Sequence, residues 1–479
     1  MLSGLEPAGK NRYRLPRREK MRADAVVYLN PALERTFQEG EALRQLMDAA
    51  TLPGVVSPVI GLPDIHTGFG LPIGGVMATL PEGEGVISAG AVGMDINCGV
   101  RLLRTDIPSR EVSRKDLQAL LSAIGQRIPT GIGKKSRHAE LTQQDLEAVL
   151  CQGARWLAEK GYTWPEDLER IEEGGCLAGA DPAAVSLEAR RRSNQLATLG
   201  GGNHFIEVGE VQRVYDTELA GAFGLEEGKL YFLIHTGSRG FGHQICTDYT
   251  AFLAKAAAKY GLTLPSRGLA AAPVSSPEGQ RYWQAMACAV NFAFANRQLI
   301  AYDLRAAVGE VFATPPRRLG LTLVYDVAHN IAKFEEHGGR RLLVHRKGAT
   351  RALPAGHPGN PLCYRETGHP VLVPGSMGTA SYVLVGTPAA AETFFSVNHG
   401  AGRVLSRSAA RRSISQEDFA RSMGDVLSNA PDYRALVDEA PLAYKDIDEV
   451  VETLAEIGLT RKVARLVPRA VIKGEGEEG

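Results

Sequence analysis

The sequence predicts an α+β protein, with central β-sheets, surrounding helices and functional residues gathered at strand ends. Three observations lead there. Short runs rich in Val and Ile, cut by Gly and Pro, fill some parts of the chain, and charged stretches with helical spacing fill others. The two kinds are grouped rather than alternated, so a regular βαβ sheet is not expected. No repeat of 20–50 residues and no linker divides the 479 residues, so one domain over 1–479 is expected.

The elements follow in order. Residues 1–50 read as an N-terminal arm and helix: a basic arm, a short strand near Ala25–Leu29, then a helix over 31–50 that opens at Pro31. From 52 to 106, "VVSPVIGLP", "GGVMATL", "GVISAGAVG" and "VRLLRTDI" are strands and turns. Residues 113–200 are expected to be mostly helical, with Ser113 as the N-cap of "SRKDLQALLSAIGQRI". "LATLGGGNHFIEVGEV" and "KLYFLIHTGSRGFGHQI" read as strands broken by glycine. Helix returns over 248–312, and strands resume after 320. The tail is expected to be helical up to "PRAVIKGEGEEG", with 475–479 flexible.

Composition sets the class. With 44% hydrophobic and 23% charged residues the chain is a folded globular protein. Lys plus Arg equals Asp plus Glu, at 54 each. There is no net field to draw in a polyanion, so any nucleic-acid contact must use a local basic patch. Six cysteines without a CxxC pair read as reduced thiols, and a cytoplasmic location is expected. No run of about 18 apolar residues suggests a membrane span.

Several segments share one pattern, an apolar run followed by His or Cys beside Gly or Asn. They are "DINCG" (Asp95, Cys98), "GGGNHFIEV" (Asn203, His204, Phe205, Glu207), "YFLIHTGSRG" (His235, Arg239), "LVYDVAHNIAKFE" (His329, Asn330) and "FFSVNHGAGR" (His399, Arg403). Any one of these histidines could be a core residue bonded to a carbonyl. Three His, one Asp and one Cys together match the ligand types of a borderline divalent metal better than Mg²⁺ or Ca²⁺. Five ligands exceed one open catalytic site and fit a pair of ions, an arrangement used in phosphoryl chemistry. "PGSMGTAS" offers hydroxyls and backbone N–H groups for a phosphate, or forms a plain turn; it is not a Walker A loop.

These strings, together with "HTGSRGFGHQI", "LVHRKGATRA", "NHGAGRVLSRSAA", "AYKDIDEVV" and the terminal "AVIKG", resemble the RtcB RNA-splicing ligases. They run in order from about residue 60 to 474. The resemblance implies a GTP- and Mn²⁺-dependent enzyme that joins an RNA 2′,3′-cyclic phosphate or 3′-phosphate end to a 5′-hydroxyl end. His399 would carry GMP as a covalent intermediate. Asp95 and His204 would hold one Mn²⁺, His235 and His329 the other, with Cys98 between them. The nucleotide would meet Asn203, Phe205, Glu207, His329, Asn330, Pro374, Gly375, Ser376, Met377, Ser381, His399, Gly400, Ala401, Gly402, Tyr444 and Lys473. RNA candidates are Arg190, Arg191, Arg192, Arg239, Arg407, Arg411 and Arg412, with Lys134, Lys135 and Arg137 more remote. His66 in "PDIHTG" and His345 in "VHRKG" lie in matching strings without an assigned role, and core hydrogen bonding is their plainer reading. RNA and GTP are the expected partners, a monomer is expected, and an activating protein partner is left open.

Overall fold

The computed structural model describes residues 4–37, 40–131, 133–430 and 433–476. Among them two large sheets carry the architecture, and the α+β expectation holds. One sheet has seven strands in the order Glu6–Pro7, Arg12–Leu15, Ala25–Tyr28, Val55–His66, Ile73–Thr79, Arg340–Lys347, Asn330–His337. The other runs Thr322–Ala328, Gly99–Pro108, Lys229–Thr236, Phe205–Val214, Thr460–Lys473, Ser381–Gly386, Val371–Val373, with Leu427–Ser428 beside Thr460–Lys473.

The helix Pro277–Val311 is 35 residues long and buries every side chain from Ala285 to Ala301. A helix buried on all sides belongs inside a core, and this one packs against Arg114–Arg127, Gln143–Gln152 and Arg239–Lys259. Ser276 caps its start, accepting the Gly279 N–H at 3.0 Å, with Pro277 in the first turn. Ser113 caps Arg114–Arg127 as expected, in a capping box whose second half is the Asp116 carboxylate accepting the Ser113 N–H at 2.8 Å.

Four expectations are corrected. The helix over 31–50 is two helices, Pro31–Thr36 and Gly40–Ala49. Helical order in 113–200 is confined to shorter pieces: past Glu159 come single 3-10 turns and the five-residue helix Leu187–Arg191. "KLYFLIHTGSRGFGHQI" is a strand only to Thr236; from Arg239 it is a 21-residue helix. The tail is not helical throughout. Thr460–Lys473 is a strand of 14 residues, and its partners Phe205–Val214 and Ser381–Gly386 are far away in sequence. Arg461, Lys462, Arg465 and Arg469 give it a helix-like charge spacing, whereas the pairing that fixes it is non-local. Its Pro468 sits at a register shift, where a missing N–H is tolerated. Residues 477–479 of the expected flexible tail lie outside the described residues.

Candidate active site and metal centre

Strand register gathers the expected ligands at one end of the second sheet. Gly99 pairs with both Ala328 and Thr236, and Phe205 pairs with His235. Cys98 precedes Gly99, His329 follows Ala328, His204 precedes Phe205, and His235 is the next-to-last residue of its strand. Four neighbouring strands therefore deliver four side chains to one rim. The Cys98 and His329 loops are also tied directly, the His329 N–H donating to the Cys98 carbonyl at 2.8 Å.

The loop that carries Asp95 and Cys98 is held from beneath. Asn97 has φ +53°, a left-handed conformation that Asn tolerates. Arg297, from the central helix, donates to the Asn97 carbonyl at 2.7 Å, its side-chain oxygen at 3.0 Å and the Thr236 carbonyl at 2.9 Å. Its charge is met by Asp326, which also pairs with Arg101; all three side chains are fully buried. Ser238 donates to Asp95 at 3.2 Å. Gly237 is required here, because a Cβ would lie 2.4 Å from the Asp95 carboxylate.

The donor atoms converge. His204 Nε2 is 2.8 Å from Asp95 Oδ2 and 3.5 Å from Cys98 Sγ; His235 Nε2 is 3.4 Å from Sγ and 3.4 Å from His329 Nε2. Asp95, Cys98 and His204 form one group of three donors within 4.8 Å of one another, and Cys98, His235 and His329 form another. Cys98 belongs to both. Burial holds His235 and His329 as neutral imidazoles, far below the usual histidine range. Burial and the Asp95 carboxylate push the Cys98 thiol well up. Burial alone would raise Asp95 too, but the His204 charge and hydrogen bond, helped by Arg239, bring it down to about 2. Neutral imidazoles, a carboxylate and a thiol that only a cation would ionise are a fitting donor set for divalent metal.

His399 stands beside this cluster, its ring 4.7 Å from that of His329. Asp64 fixes it twice: Oδ2 lies 2.6 Å from Nδ1 and accepts the His399 backbone N–H at 3.0 Å. In the neutral ring a carboxylate on Nδ1 selects the tautomer with its proton there, which puts the free lone pair on Nε2. Lys445 braces the strand that carries Asp64. Its Nζ donates to the Pro63 and Ile65 carbonyls at 3.0 and 2.7 Å, and its backbone N–H to Gly402 at 2.9 Å. Burial lowers the Lys445 ammonium to about 8, against the opposing pull of Asp64. Gly402 has φ +73°, and a Cβ there would meet the Asp64 carbonyl at 2.2 Å.

A cavity of about 550 Å³ opens over His399 and the donor cluster, within the range of small-molecule sites, roughly 300–1,000 Å³. Every expected nucleotide residue lines it except Glu207 and Ser381. Those two lie behind the wall. Ser381 Oγ accepts the Gly375 N–H at 3.1 Å and so shapes the Pro374–Met377 turn, while Glu207 accepts from the Tyr231 hydroxyl. Burial raises the Glu207 carboxyl to about 8, against its bonds to Tyr231 and Ser381. Lys473, near the chain end, is buried against Glu439 at 3.3 Å and the His204 carbonyl at 3.4 Å.

A family model described as "tRNA-splicing ligase RtcB" matches residues 45–474. The chain belongs to the RtcB family. Relatives named tRNA-splicing ligase RtcB include those of Thermococcus kodakarensis, 47% identical over 98% of this chain and 99% of the relative, and Aeropyrum pernix, 46% identical over 95% and 96%. One from Mycobacterium bovis, named RNA-splicing ligase RtcB, is 46% identical over 90% of this chain and its own full length.

In this RtcB-family chain the arginines singled out from sequence separate. Arg239 is buried, donating to Thr198 at 3.1 Å and to the Gly131 carbonyl at 3.2 Å, so it belongs to no surface patch. Arg190 is half-buried against Glu147 and the Pro182 carbonyl, and exposed Arg191 pairs with Glu188. Arg407 lines the cavity near Asp438 and Glu439, and Arg411 reaches Asp438 at 3.4 Å. His345 is a core residue: its Nε2 accepts the Ser88 N–H at 3.3 Å, and its Nδ1 bonds the Met77 carbonyl. His66 lines the cavity, and burial holds it neutral, at about 3. Asp64, Lys445, Lys347 and Glu439 have no role assigned from sequence yet border the site. The first three lie in the quoted strings, so motif membership was the signal; Glu439 lies in none.

Proposed function

We propose that the chain is an RNA ligase that uses GTP and Mn²⁺ to join a 3′-phosphate or 2′,3′-cyclic phosphate end to a 5′-hydroxyl end, in tRNA splicing or RNA repair. The observation that carries the reading is Asp64 bonded to His399 Nδ1 beside two convergent donor groups sharing Cys98. That is the arrangement of an oriented imidazole nucleophile at a site for phosphoryl transfer.

His399 Nε2 attacks the α-phosphorus of GTP. The N–P bond forms, the bond from the α-phosphorus to the bridging oxygen breaks, and pyrophosphate leaves, while Asp64 keeps the proton on Nδ1. An oxygen of the RNA 3′-phosphate then takes GMP from His399. The 5′-hydroxyl of the second strand attacks the RNA phosphorus, loses its proton and expels GMP. A cyclic end must first be opened by water. Mn²⁺ held by Asp95, Cys98, His204, His235 and His329 would supply Lewis-acid neutralisation of phosphoryl charge. The turn Pro374–Met377, Asn203, Phe205, Asn330, Tyr444 and Lys473 bind the nucleotide, with Glu207 and Ser381 supporting them. Arg407, at the cavity wall, is the RNA contact this reading favours.

The test is incubation with α-labelled GTP and Mn²⁺, followed by denaturing electrophoresis. An acid-labile, alkali-stable label on the chain, absent from His399→Ala, is expected. So is sealing of a nicked hairpin with cyclic-phosphate and 5′-hydroxyl ends. A wild-type chain that takes no label sinks the reading.

A further inference from the structure

The cavity is larger than the nucleotide residues account for. Thr36, Phe37, Ala42, Phe69 and Ile73 also line it, and none is a metal or nucleotide candidate. Six large hydrophobic side chains are exposed among the described residues, and Phe69, 40% exposed, is the one of them that lines this cavity.

An exposed phenylalanine on a slack loop would need no explanation. The loop under Phe69 is not slack. Buried Gln45, on Gly40–Ala49, clamps Gly68 from both sides: its amide N–H donates to the Gly68 carbonyl at 2.6 Å, and its oxygen accepts the Gly68 N–H at 3.1 Å. The Lys347 ammonium donates to the Phe69 carbonyl. Gly70, with φ +81°, approaches so closely that a Cβ would lie 2.4 Å from the Gly268 carbonyl oxygen. The Leu71 N–H donates to Gly90 at 3.2 Å. Three hydrogen-bonding braces and one backbone contact thus hold an apolar ring at the cavity wall, where water meets it. Rigid presentation of an aromatic face lowers the entropic cost of stacking. The Lys347 ammonium beside it, whose partners among the described residues are the Phe69 and Gly90 carbonyls, matches an anionic ligand.

We propose that Phe69 is a stacking platform for an unpaired nucleobase at an RNA end whose phosphate or hydroxyl lies at the metal–histidine cluster. The identity of this ligand rests on the ligase reading above. Single-stranded ends are recognised in this way, with bases splayed onto aromatic side chains. Both the 3′-phosphate strand and the 5′-hydroxyl strand supply such a base, and the experiment separates them.

The experiment uses the full chain with GTP, Mn²⁺ and two RNA strands, and reads joining at subsaturating RNA. An abasic nucleotide is placed at the 3′ end of one strand or the 5′ end of the other. In the wild type the abasic change at the stacked end is expected to slow joining about 10-fold. In Phe69→Ala the same change should cost less than about 2-fold, and Phe69→Trp should restore the sensitivity. Equal losses in wild type and Phe69→Ala at both ends, or no loss in the wild type, overturn the proposal. If the wild type joins nothing, the ligase reading fails, and the platform is decided by strands carrying terminal 2-aminopurine. Fluorescence quenching lost in Phe69→Ala supports stacking, and quenching equal in both chains overturns it.

Discussion

Asp64 and His399 lie 335 residues apart and meet through a 2.6 Å contact between carboxylate and Nδ1. The same carboxylate oxygen accepts the His399 backbone N–H at 3.0 Å, so ring and main chain are fixed together. Asp64→Asn offers an amide of the same shape with the wrong hydrogen-bonding pattern for one tautomer. Covalent GMP attachment should fall about 100-fold or more, read as initial rates from the labelling gel at saturating GTP. A change under 3-fold would show that Asp64 does not set the tautomer.

Cys98 is the donor common to both candidate metal groups. Cys98→Ala should weaken manganese binding at least 10-fold at both positions, followed by titration with electron-paramagnetic detection of free Mn²⁺. Labelling by GTP should disappear while the far-ultraviolet circular dichroism stays that of the wild type. Chelation of the wild type should abolish labelling in the same way, and added Mn²⁺ should restore it.

Lys445 bonds the carbonyls on either side of Asp64, so its effect is expected to pass through Asp64. Removing its ammonium in Lys445→Met releases the Pro63 and Ile65 carbonyls. A displacement of Asp64 by about 1 Å would slow His399 modification on the order of 100-fold. Manganese affinity should stay at the wild-type value, because none of the donors contacts Lys445. A parallel loss of manganese would mark the effect as general unfolding.

Arg297 joins stability to the site. Arg297→Met removes one of the two buried partners of Asp326 and three bonds that pin the Asp95–Cys98 loop and the strand end. The expected loss is about 3–5 kcal/mol in urea unfolding. A cost below about 1 kcal/mol would mean that Arg101 alone satisfies Asp326.

Glu207 gives a pH signature. Its carboxyl is raised by burial from 4.5 to about 8, so across that window the folded chain keeps a proton that the unfolded chain has released. The stabilisation is fully present below pH 4.5 and drains away as pH climbs to about 8. Melting temperatures measured from pH 5 to 8 should decline more steeply for the wild type than for Glu207→Gln. Parallel curves would place the Glu207 proton elsewhere.

How much could be read from the residues varies by element. Ser113 announced its helix because capping is a local bond between neighbours. Asp95, Cys98, His204, His235 and His329 were legible as a candidate donor set because so many donors beside glycine are costly unless they act together, and the fold brings their donor atoms close. Thr460–Lys473 was missed because its charges mimic a helical face while its partners sit far away in sequence. Arg239 was misplaced on the surface because a string of letters does not say which arginine finds buried oxygen acceptors.

The sequence alone determined the chemistry on offer: a donor set for divalent metal, a histidine in a glycine pocket, and membership of one family. Tertiary structure decided how those groups act. Strand register brings residues more than a hundred positions apart to one rim, and Lys445 and Arg297 hold the backbone that aims Asp64 and Asp95. Those contacts are non-local, and their strength comes from burial away from water, which no short window of residues encodes.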